Sequence, residues 1–363
     1  MTDQKKHIVF LCSRLDVPGG IERAIVNTAN LFAEKNHPVT LIILDEFNNS
    51  FYPVHPGVRI KQFPLLFGMT EKGNKMTRKL QLLRDIRNLN RILHPLNADV
   101  VIATEYQFAI AVIISGTKNF SRVYSWEHHH FNWLQKSFFW KLLFNKNYPR
   151  LDGIICLNKT EAGYFSKFAP VHLIPNFIEN NSGQKAAVNT KTILSVGWLI
   201  HRKGIDFIMQ AAKQVLANHP DWKWKIIGEG EMKTQLLEFI EKENQQGKLI
   251  LQQPVSSDIS NEYLNASIFV LASRFEAFPM VLLEAMSYGV PCVSFDCPTG
   301  PSDIITRNED GILVEKENPA KLAEAINKLI EDEMLRNKMS EQAFENIKRF
   351  SSNKIYELWK QLI

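Results

Sequence analysis

Two glutamates, Glu276 and Glu284, stand eight residues apart in the stretch whose spacing says most about chemistry. The apolar runs 266–272 and 290–295 on either side predict two buried strands. Glu276 then lies in the loop after the first strand, and Glu284 lies inside the helix that joins the two. Because carboxylates accept paired hydrogen bonds from neighbouring hydroxyls, this arrangement suits a polyol such as a sugar. The alternative is a solvated loop glutamate and an unrelated glutamate on a helix face.

The start of the same helix offers a second kind of binding group. Pro279 suits the first turn of a helix, and Gly289 ends it. The first backbone N–H groups of a helix have no partner within it, so they bind anions readily. We therefore expect the backbone at Phe278, Met280 and Val281 to face a phosphate or a sugar hydroxyl.

The stretch resembles the E-x7-E motif of the retaining, nucleotide-sugar-dependent glycosyltransferases of family 4, of the bacterial surface-polysaccharide type. The match extends over most of the second half of the chain, through residues 273–276, 284–291, 300–301 and 311–314. The resemblance implies the α/β GT-B fold, in which two doubly wound, Rossmann-like domains face a central cleft. It also implies that Glu276 holds hydroxyls of the donor sugar and that Glu284 holds the ribose hydroxyls of the nucleotide.

The length of 363 residues suits two domains. We expect an N-terminal acceptor-binding domain at 1–180, a linker at 181–190 and a nucleotide-sugar-binding domain at 191–345. The last residues, 346–363, are expected to form a helix that crosses back to the first domain, as in GT-B proteins. A polar start without a signal peptide, no apolar run of about 20 residues and no C-x-x-C pair predict a cytoplasmic protein with reduced thiols.

A Gly-Gly turn follows the first predicted strand of the chain. The β-α-β start implies a parallel sheet, and Gly19 and Gly20 would lie at its carboxyl edge, where such sheets bind ligands. The pair is not a G-x-G-x-x-G fingerprint, and a plain tight turn is an equal alternative. In the resembling family the Gly-Gly-x-Glu-Arg pattern of residues 19–23 lies at the cleft, which favours donor contact.

The run Glu-His-His-His at 127–130 invites a metal hypothesis, but no third ligand and no matching Cys/His set accompany it. Residues 121–125, just before this run, are predicted to form a strand. In the resembling family a histidine just after that strand faces the sugar donor and takes part in catalysis. His128 aligns best with that histidine, and His129 is the alternative. We assign no metal ligands in the chain.

The resemblance places the donor diphosphate between two cations after the first strand of the second domain. Lys203 keeps the family's lysine, but Trp198 stands where the family has arginine. Arg202 is adjacent and can supply the second charge, since a diphosphate binds best between two cations. Gly228 ends a later strand, where a glycine lets a nucleotide approach the backbone, and Val255 lies near the family's base site.

Charge and aromatic residues are distributed unevenly. Residues 1–180 carry 22 basic and 14 acidic side chains, a net charge of +8, whereas the rest carries 21 and 24, a net charge of −3. Two basic segments, 72–91 and 131–150, account for much of this, and the second also holds seven aromatics. Such mixtures suit an anionic membrane surface. An ordinary solvated helix and a buried helix are the alternatives.

The resemblance implies a retaining hexosyltransferase that moves a sugar from a nucleotide diphosphate sugar, taken to be a UDP-sugar. The acceptor would be a hydroxyl of a glycan or lipid-linked sugar in surface polysaccharide synthesis. Lys203, Glu276 and His128 would carry the catalysis. We expect no cofactor and no nucleic-acid partner, and no metal because no suitable D-x-D pair is present. A nucleotide-sugar 2-epimerase of the same fold and, less favoured, a metal-dependent hydrolase remain as alternatives, and the protein is expected to be at most peripheral at the inner face of the cell membrane.

Overall fold

The computed structural model describes residues 5–45, 49–65, 67, 75–131, 136–179, 183–253 and 258–363. The chain divides into two compact units. The first comprises Met1–Pro175 together with Ile355–Ile363, and the second comprises Asn176–Lys354.

The first unit is built on a seven-stranded parallel sheet in the order β3-β2-β1-β4-β5-β6-β7. Its central strands are buried along almost their whole length because helices cover both faces of a parallel sheet. The strands are β1 Ile8–Cys12, β2 Val39–Ile43, β3 Val58–Gln62, β4 Val100–Ala103, β5 Arg122–Glu127, β6 Gly153–Cys156 and β7 Val171–Leu173. The helices are α1 Gly20–Glu34, α2 Lys75–Leu93, α3 Tyr106–Ile114, α4 Phe138–Asn147 and α5 Lys159–Phe165.

The second unit repeats the plan with six parallel strands in the order β10-β9-β8-β11-β12-β13. The strands are β8 Thr192–Val196, β9 Lys223–Ile227, β10 Leu249–Gln252, β11 Ile268–Leu271, β12 Cys292–Phe295 and β13 Gly311–Val314. The helices are α6 Ile205–Asn218, α7 Lys233–Lys242, α8 Ser260–Leu264, α9 Met280–Ser287, α10 Pro301–Ile304, α11 Pro319–Glu331 and α12 Glu333–Asn346.

The strand order reverses between β1 and β4 in the first sheet and between β8 and β11 in the second. In open α/β sheets the carboxyl ends of the strands at such a reversal are where ligands bind. The predicted fold class, two doubly wound α/β domains, is confirmed. All four cysteines are buried and unpaired.

One strand of the first unit has no signal in the sequence. Residues 45–75 show no regular apolar pattern, yet β3 pairs with β2 over five residues within them. Only Val58 of β3 is buried, and the other four residues are exposed. A polar strand at the edge of a sheet has no apolar pattern, which is why the sequence did not indicate it.

The end of the chain packs with the first unit. Helix α13, Ser352–Trp359, places the indole of Trp359 at 5.7 Å from the Phe32 ring and 5.2 Å from the Trp126 ring, measured between centroids. Trp359 is 1% exposed. The Tyr356 hydroxyl lies 3.0 Å from His37 Nε2. Among the helices in the described ranges, none is both long and apolar enough to cross a membrane.

Candidate functional site

The loops after β8 and β11 bring a lysine and a glutamate into direct contact at the strand-order reversal of the second unit. Lys203 Nζ donates to Glu276 Oε1 at 2.6 Å, and Ser273 Oγ donates to the same oxygen at 2.6 Å. No group in the described ranges donates to Glu276 Oε2. The side chains of Lys203 and Glu276 are 17% and 9% exposed, so both reach the surface without being freely solvated. A cation suited to phosphate oxygens thus lies beside a carboxylate with one oxygen left for hydroxyls.

A close approach of two backbones sets this contact. The 3-10 turn His201–Lys203 ends at Gly204, whose φ is 68°. A Cβ on Gly204 would lie 1.9 Å from the carbonyl oxygen of Ala272, so only glycine allows the turn to pack against the end of β11. This packing carries Lys203 to Glu276.

A tyrosine side chain orients Glu284 through a hydrogen bond. Tyr263 Oη donates to Glu284 Oε2 at 2.6 Å, and Tyr263 itself stacks on Tyr288 with centroids 5.7 Å apart and planes 7° apart. Glu284 and Tyr263 are 4% and 1% exposed. The hydroxyl therefore fixes the orientation of a buried carboxylate. Nothing in the sequence pattern singled out Tyr263.

The first turn of α9 presents backbone rather than side chains. Phe278 and Met280 bury their side chains, and Val281 is half-buried, so their contribution to a ligand would be their N–H groups. The loop after β12 braces this turn from outside. Thr299 Oγ1 donates to the Glu276 carbonyl, and a Cβ on Gly300, with φ 93°, would meet Pro279 Cδ at 2.8 Å.

Three more residues of this unit, Gly228, Arg202 and Val255, were predicted to contact the donor. A Cβ on Gly228 would lie 2.0 Å from the carbonyl oxygen of Gly197, so the packing of two loops already requires this glycine. Arg202 is half-buried, and its carbonyl accepts from the backbone N–H of Arg274 at 2.9 Å. Val255 lies outside the described residues.

The glycine turn of the first unit lies where α1 begins, at the end of the loop after β1. Gly19 is the N-cap, with φ −100°, and Gly20 is the first residue of the helix. A Cβ on Gly19 would lie 1.9 Å from Glu22 Oε2, so the Glu22 carboxylate folds over this turn. Burial raises the pKa of Glu22.

His128 follows β5 and is buried, at 6% exposure, with its ring 4.3 Å from that of Trp126. Its Nε2 has no hydrogen-bond partner in the described part of the chain. Burial, with a smaller effect of His129, lowers the pKa of His128 to about 3. The imidazole is therefore neutral at neutral pH.

The residue before His128 anchors the end of β5. Glu127 Oε1 accepts from Ser125 Oγ and from Tyr148 Oη, both at 2.5 Å. In the neighbouring segment, His130 Nε2 lies 3.9 Å from the buried Glu161 Oε1. The described residues contain no group of three or more His, Cys, Asp or Glu side chains arranged to hold a metal ion.

Two family models match the chain. The model of group 1 glycosyl transferases matches residues 177–346. The model of glycosyltransferase family 4 matches residues 18–181. The match to the group 1 model lies wholly within the second unit, and the match to the family 4 model lies almost wholly within the first unit.

Curated relatives align with nearly the whole chain. An exopolysaccharide phosphotransferase of Streptomyces coelicolor is 29% identical over 98% of the chain, which spans 40% of that relative's length. An uncharacterized glycosyltransferase of Haemophilus influenzae is 26% identical over 99% of the chain and 100% of its own length. An α-1,4-N-acetyl-D-galactosaminyltransferase of Campylobacter jejuni, named for an acceptor on PP-undecaprenol, is 26% identical, with 98% of each chain covered.

Solved structures share the fold. TarM of S. aureus, in a complex that includes UDP and α-GlcNAc-glycerol, has a TM-score of 0.82 at 17% identity, with 98% of this chain and 99% of that chain covered. HepE of Anabaena, in complex with UDP-glucose, has a TM-score of 0.78 at 16% identity, with 98% of this chain and 99% of that chain covered.

Proposed function

The chain belongs to the glycosyltransferase family whose two domains these models describe, and we propose that it transfers a sugar from a UDP-sugar to a hydroxyl with retention of configuration. The observation that carries the proposal is the contact of Lys203 with Glu276 at the strand-order reversal, with Glu284 nearby in sequence on α9. We choose uridine as the nucleoside of the donor because TarM and HepE were solved with UDP or a UDP-sugar.

In this proposal each group of the second unit has a separate part. Glu284, oriented by Tyr263, accepts from the ribose hydroxyls. Glu276 uses Oε2 for sugar hydroxyls while Oε1 stays bonded to Ser273. Lys203 and the N–H groups at the start of α9 stabilise the charge that develops on the leaving diphosphate, which is the step where fixed positive groups lower the barrier most.

The first unit contributes a neutral histidine and a helix start. His128 is uncharged at neutral pH, so we propose that it serves a ligand as a hydrogen-bonding or packing group rather than as a cation. Gly19 and Gly20 lie at the start of α1, whose first backbone N–H groups can bind an anion or a hydroxyl. We propose that no metal ion takes part, since Lys203 and α9 supply the positive groups.

The acceptor is proposed to be lipid-linked, and the surface of the first unit supports this. Helix α3 contacts both α2 and α4, so the three helices form one layer. Among the described residues, six of the ten exposed large apolar side chains lie on this layer. They are Leu80, Leu83, Ile114, Phe138, Phe139 and Leu142.

The same layer is strongly basic. Arg84, Arg87 and Arg91 are exposed on α2, and Lys141 and Lys146 are exposed on α4. The sequences of the three helices contain one acidic residue, Asp85, which is buried. Apolar tips among uncompensated cations complement an anionic lipid surface. We call this set of exposed residues the apolar–basic face and propose that it docks on the membrane that carries the acceptor.

Not every residue of the segment 131–150 belongs to this face. Phe144 and Tyr148, two of the seven aromatics in the segment 131–150, are 3% and 1% exposed and belong to the core. Lys136 lies over the Tyr106 and Phe144 rings at 4.9 and 4.4 Å, so it also packs inward. Trp133 lies outside the described residues.

The proposed reaction is tested by measuring nucleoside diphosphate release from a panel of UDP-, GDP- and ADP-sugars by the purified protein, with excess EDTA present. We expect UDP release from at least one UDP-sugar, and we expect Lys203→Ala to slow it by about a hundredfold or more. Release from GDP-sugars alone would contradict the choice of base. Loss of activity with EDTA that added Mg²⁺ restores would contradict the metal-independent reaction, and conversion to an isomeric UDP-sugar would indicate an epimerase.

A further inference from the structure

Arg274 makes an unusually complete set of contacts one residue after the serine that bonds Glu276. Its Nη1 donates to Asp206 Oδ1 at 2.8 Å and its Nη2 donates to Asp206 Oδ2 at 2.7 Å, a two-pronged pair. Nη1 also donates to the carbonyl of His201 at 2.6 Å. The guanidinium carbon lies 4.1 Å from the centroid of the Phe207 ring.

These contacts join the two loops of the candidate site. Asp206 lies in the first turn of α6, and His201 begins the 3-10 turn that ends at Lys203. The backbone N–H of Arg274 adds a bond to the Arg202 carbonyl at 2.9 Å. The segment that carries Lys203 is therefore fixed on both sides to the loop that carries Glu276.

We propose that Arg274, through its pair with Asp206, is a positioning residue that places Lys203 for the donor diphosphate. The inference rests on the proposed function of this site. The ammonium of a lysine sits on a flexible stem, so its position is poorly defined unless the backbone that carries it is fixed. An arginine–carboxylate pair has a fixed planar geometry and can fix that backbone. Arg274 is thus the rigid element and Lys203 the group that it aims.

The titration behaviour of the pair agrees with this geometry. Hydrogen bonding to Asp206 raises the pKa of Arg274. Burial acts to raise the pKa of Asp206, but the hydrogen bonds and the charge of Arg274, together with smaller effects of the backbone and His201, outweigh burial and lower that pKa. Both groups stay charged across the range in which an enzyme is assayed, so the clamp is permanent.

The test compares the affinities of the full chain for UDP and for uridine, which lacks the diphosphate. Arg274→Gln, Asp206→Asn and the double variant should each weaken UDP by about tenfold, within the range for coupled pairs, and the double should be no worse than either single change. Uridine affinity should stay unchanged. Arg274→Lys keeps the charge but loses the fork, so it should recover only part of the loss.

Arg336, on α12 of the same unit, provides a matched control. Arg336 is 5% exposed, donates to the carbonyls of Val188 and Leu329 at 2.8 and 2.6 Å, and lies 5.5 Å from the Trp222 ring centroid. Arg336→Gln should lower the melting temperature without changing the ratio of UDP to uridine affinity.

Three results would contradict the positioning role of Arg274 or the proposed function on which it rests, and each has a different meaning. A loss of UDP affinity in Arg274→Gln but not in Asp206→Asn would mean that Arg274 contacts the phosphate itself. Equal losses for UDP and uridine, or no loss at all, would mean a merely structural role. If the wild-type protein binds neither UDP nor uridine, the proposed function fails instead.

Discussion

At the scale of single residues, the two glutamates of the E-x7-E motif have different neighbours. Glu276 shares one oxygen between Ser273 and Lys203, whereas Glu284 is buried and accepts from Tyr263. The first is placed to respond to charge changes on a ligand, and the second is a fixed acceptor. This difference predicts separable effects on turnover and on affinity.

Glu284→Ala should weaken UDP binding by about 1–3 kcal/mol, because ribose hydroxyls would lose their acceptor. Tyr263→Phe should cost less, about 0.5–1.5 kcal/mol, since it removes only the hydroxyl that orients Glu284. Calorimetric titration with UDP measures both. Glu276→Gln is the matched comparison and should reduce turnover more than affinity. An unchanged dissociation constant in Glu284→Ala would refute its assignment to the ribose.

Lys203→Ala should reduce kcat/KM by about a hundredfold or more, because a positive group at the leaving diphosphate is lost. Arg202→Ala should cost less if Lys203 alone has the family's position. If both act as a pair in place of the arginine lost at Trp198, each single change should be severe and the double little worse. Steady-state kinetics of the four proteins decides, and mild, additive losses would place the diphosphate elsewhere.

Glu161 should make the stability of the protein depend on pH. Burial raises the pKa of Glu161 from 4.5 to about 7. The folded protein then holds a proton that the unfolded chain releases, so this stabilisation is complete below about pH 4.5 and is lost as the pH rises to about 7. The loss amounts to about 3 kcal/mol at most. Denaturant unfolding of wild type and Glu161→Gln over this range should show a smaller decline in the variant, and equal declines would contradict the assignment.

The sequence predicted the residues that belong to a family motif and missed the residues that hold them in place. Glu276, Glu284 and Lys203 were found because their spacing matches a family pattern. Tyr263 and Arg274 act through residues 21 and 68 positions away in the chain. A contact between residues so far apart depends on how strands are ordered in the sheet, which no local periodicity reveals.

At the scale of elements, the proposed membrane contact lies on the layer of α2, α3 and α4. The protein should sediment with phosphatidylglycerol vesicles at low salt and dissociate at high salt, since each basic residue contributes about 1 kcal/mol that salt screens. Replacing Arg84, Arg87, Lys141 and Lys146 by glutamate should abolish sedimentation. UDP affinity should not change.

Controls for this experiment come from the second unit. Lys328 and Lys338 are exposed on α11 and α12, and their replacement by glutamate should leave sedimentation intact. Lys136 is left unchanged because its ammonium packs over aromatic rings. A wild-type protein that never sediments with anionic vesicles would make the apolar–basic face an ordinary solvated surface and favour a soluble acceptor.

Elements with a clear apolar pattern were the ones that the sequence indicated. Strands β1 and β11 consist of apolar residues alone, and β2 and β8 add only threonine or serine. Helix α2 covers most of the basic segment 72–91. The edge strand β3 was missed because four of its five residues are exposed. Helix α3 was missed as well, since its residues are apolar on all sides and show no helical period.

At the scale of the whole molecule, the two units repeat one plan with different chemistry. Each sheet reverses its strand order once. Lys203 and Glu276 lie in loops at the reversal of the second sheet, and Gly19 and Gly20 end the loop after β1 at the reversal of the first, whereas His128 follows β5, one strand beyond it. The cationic and acidic pair lies in the second unit, and the neutral His128 and the apolar–basic face lie in the first. We propose that the second unit binds the donor and the first binds the acceptor.

The most direct test of the central claim is a ¹H NMR time course of the protein with an α-configured UDP-sugar that it turns over, with water as the acceptor and EDTA present. The account predicts that UDP is released and that the α anomer of the free sugar appears first, with the β anomer following by mutarotation. The β anomer appearing first, or no UDP released from any UDP-sugar, would contradict it.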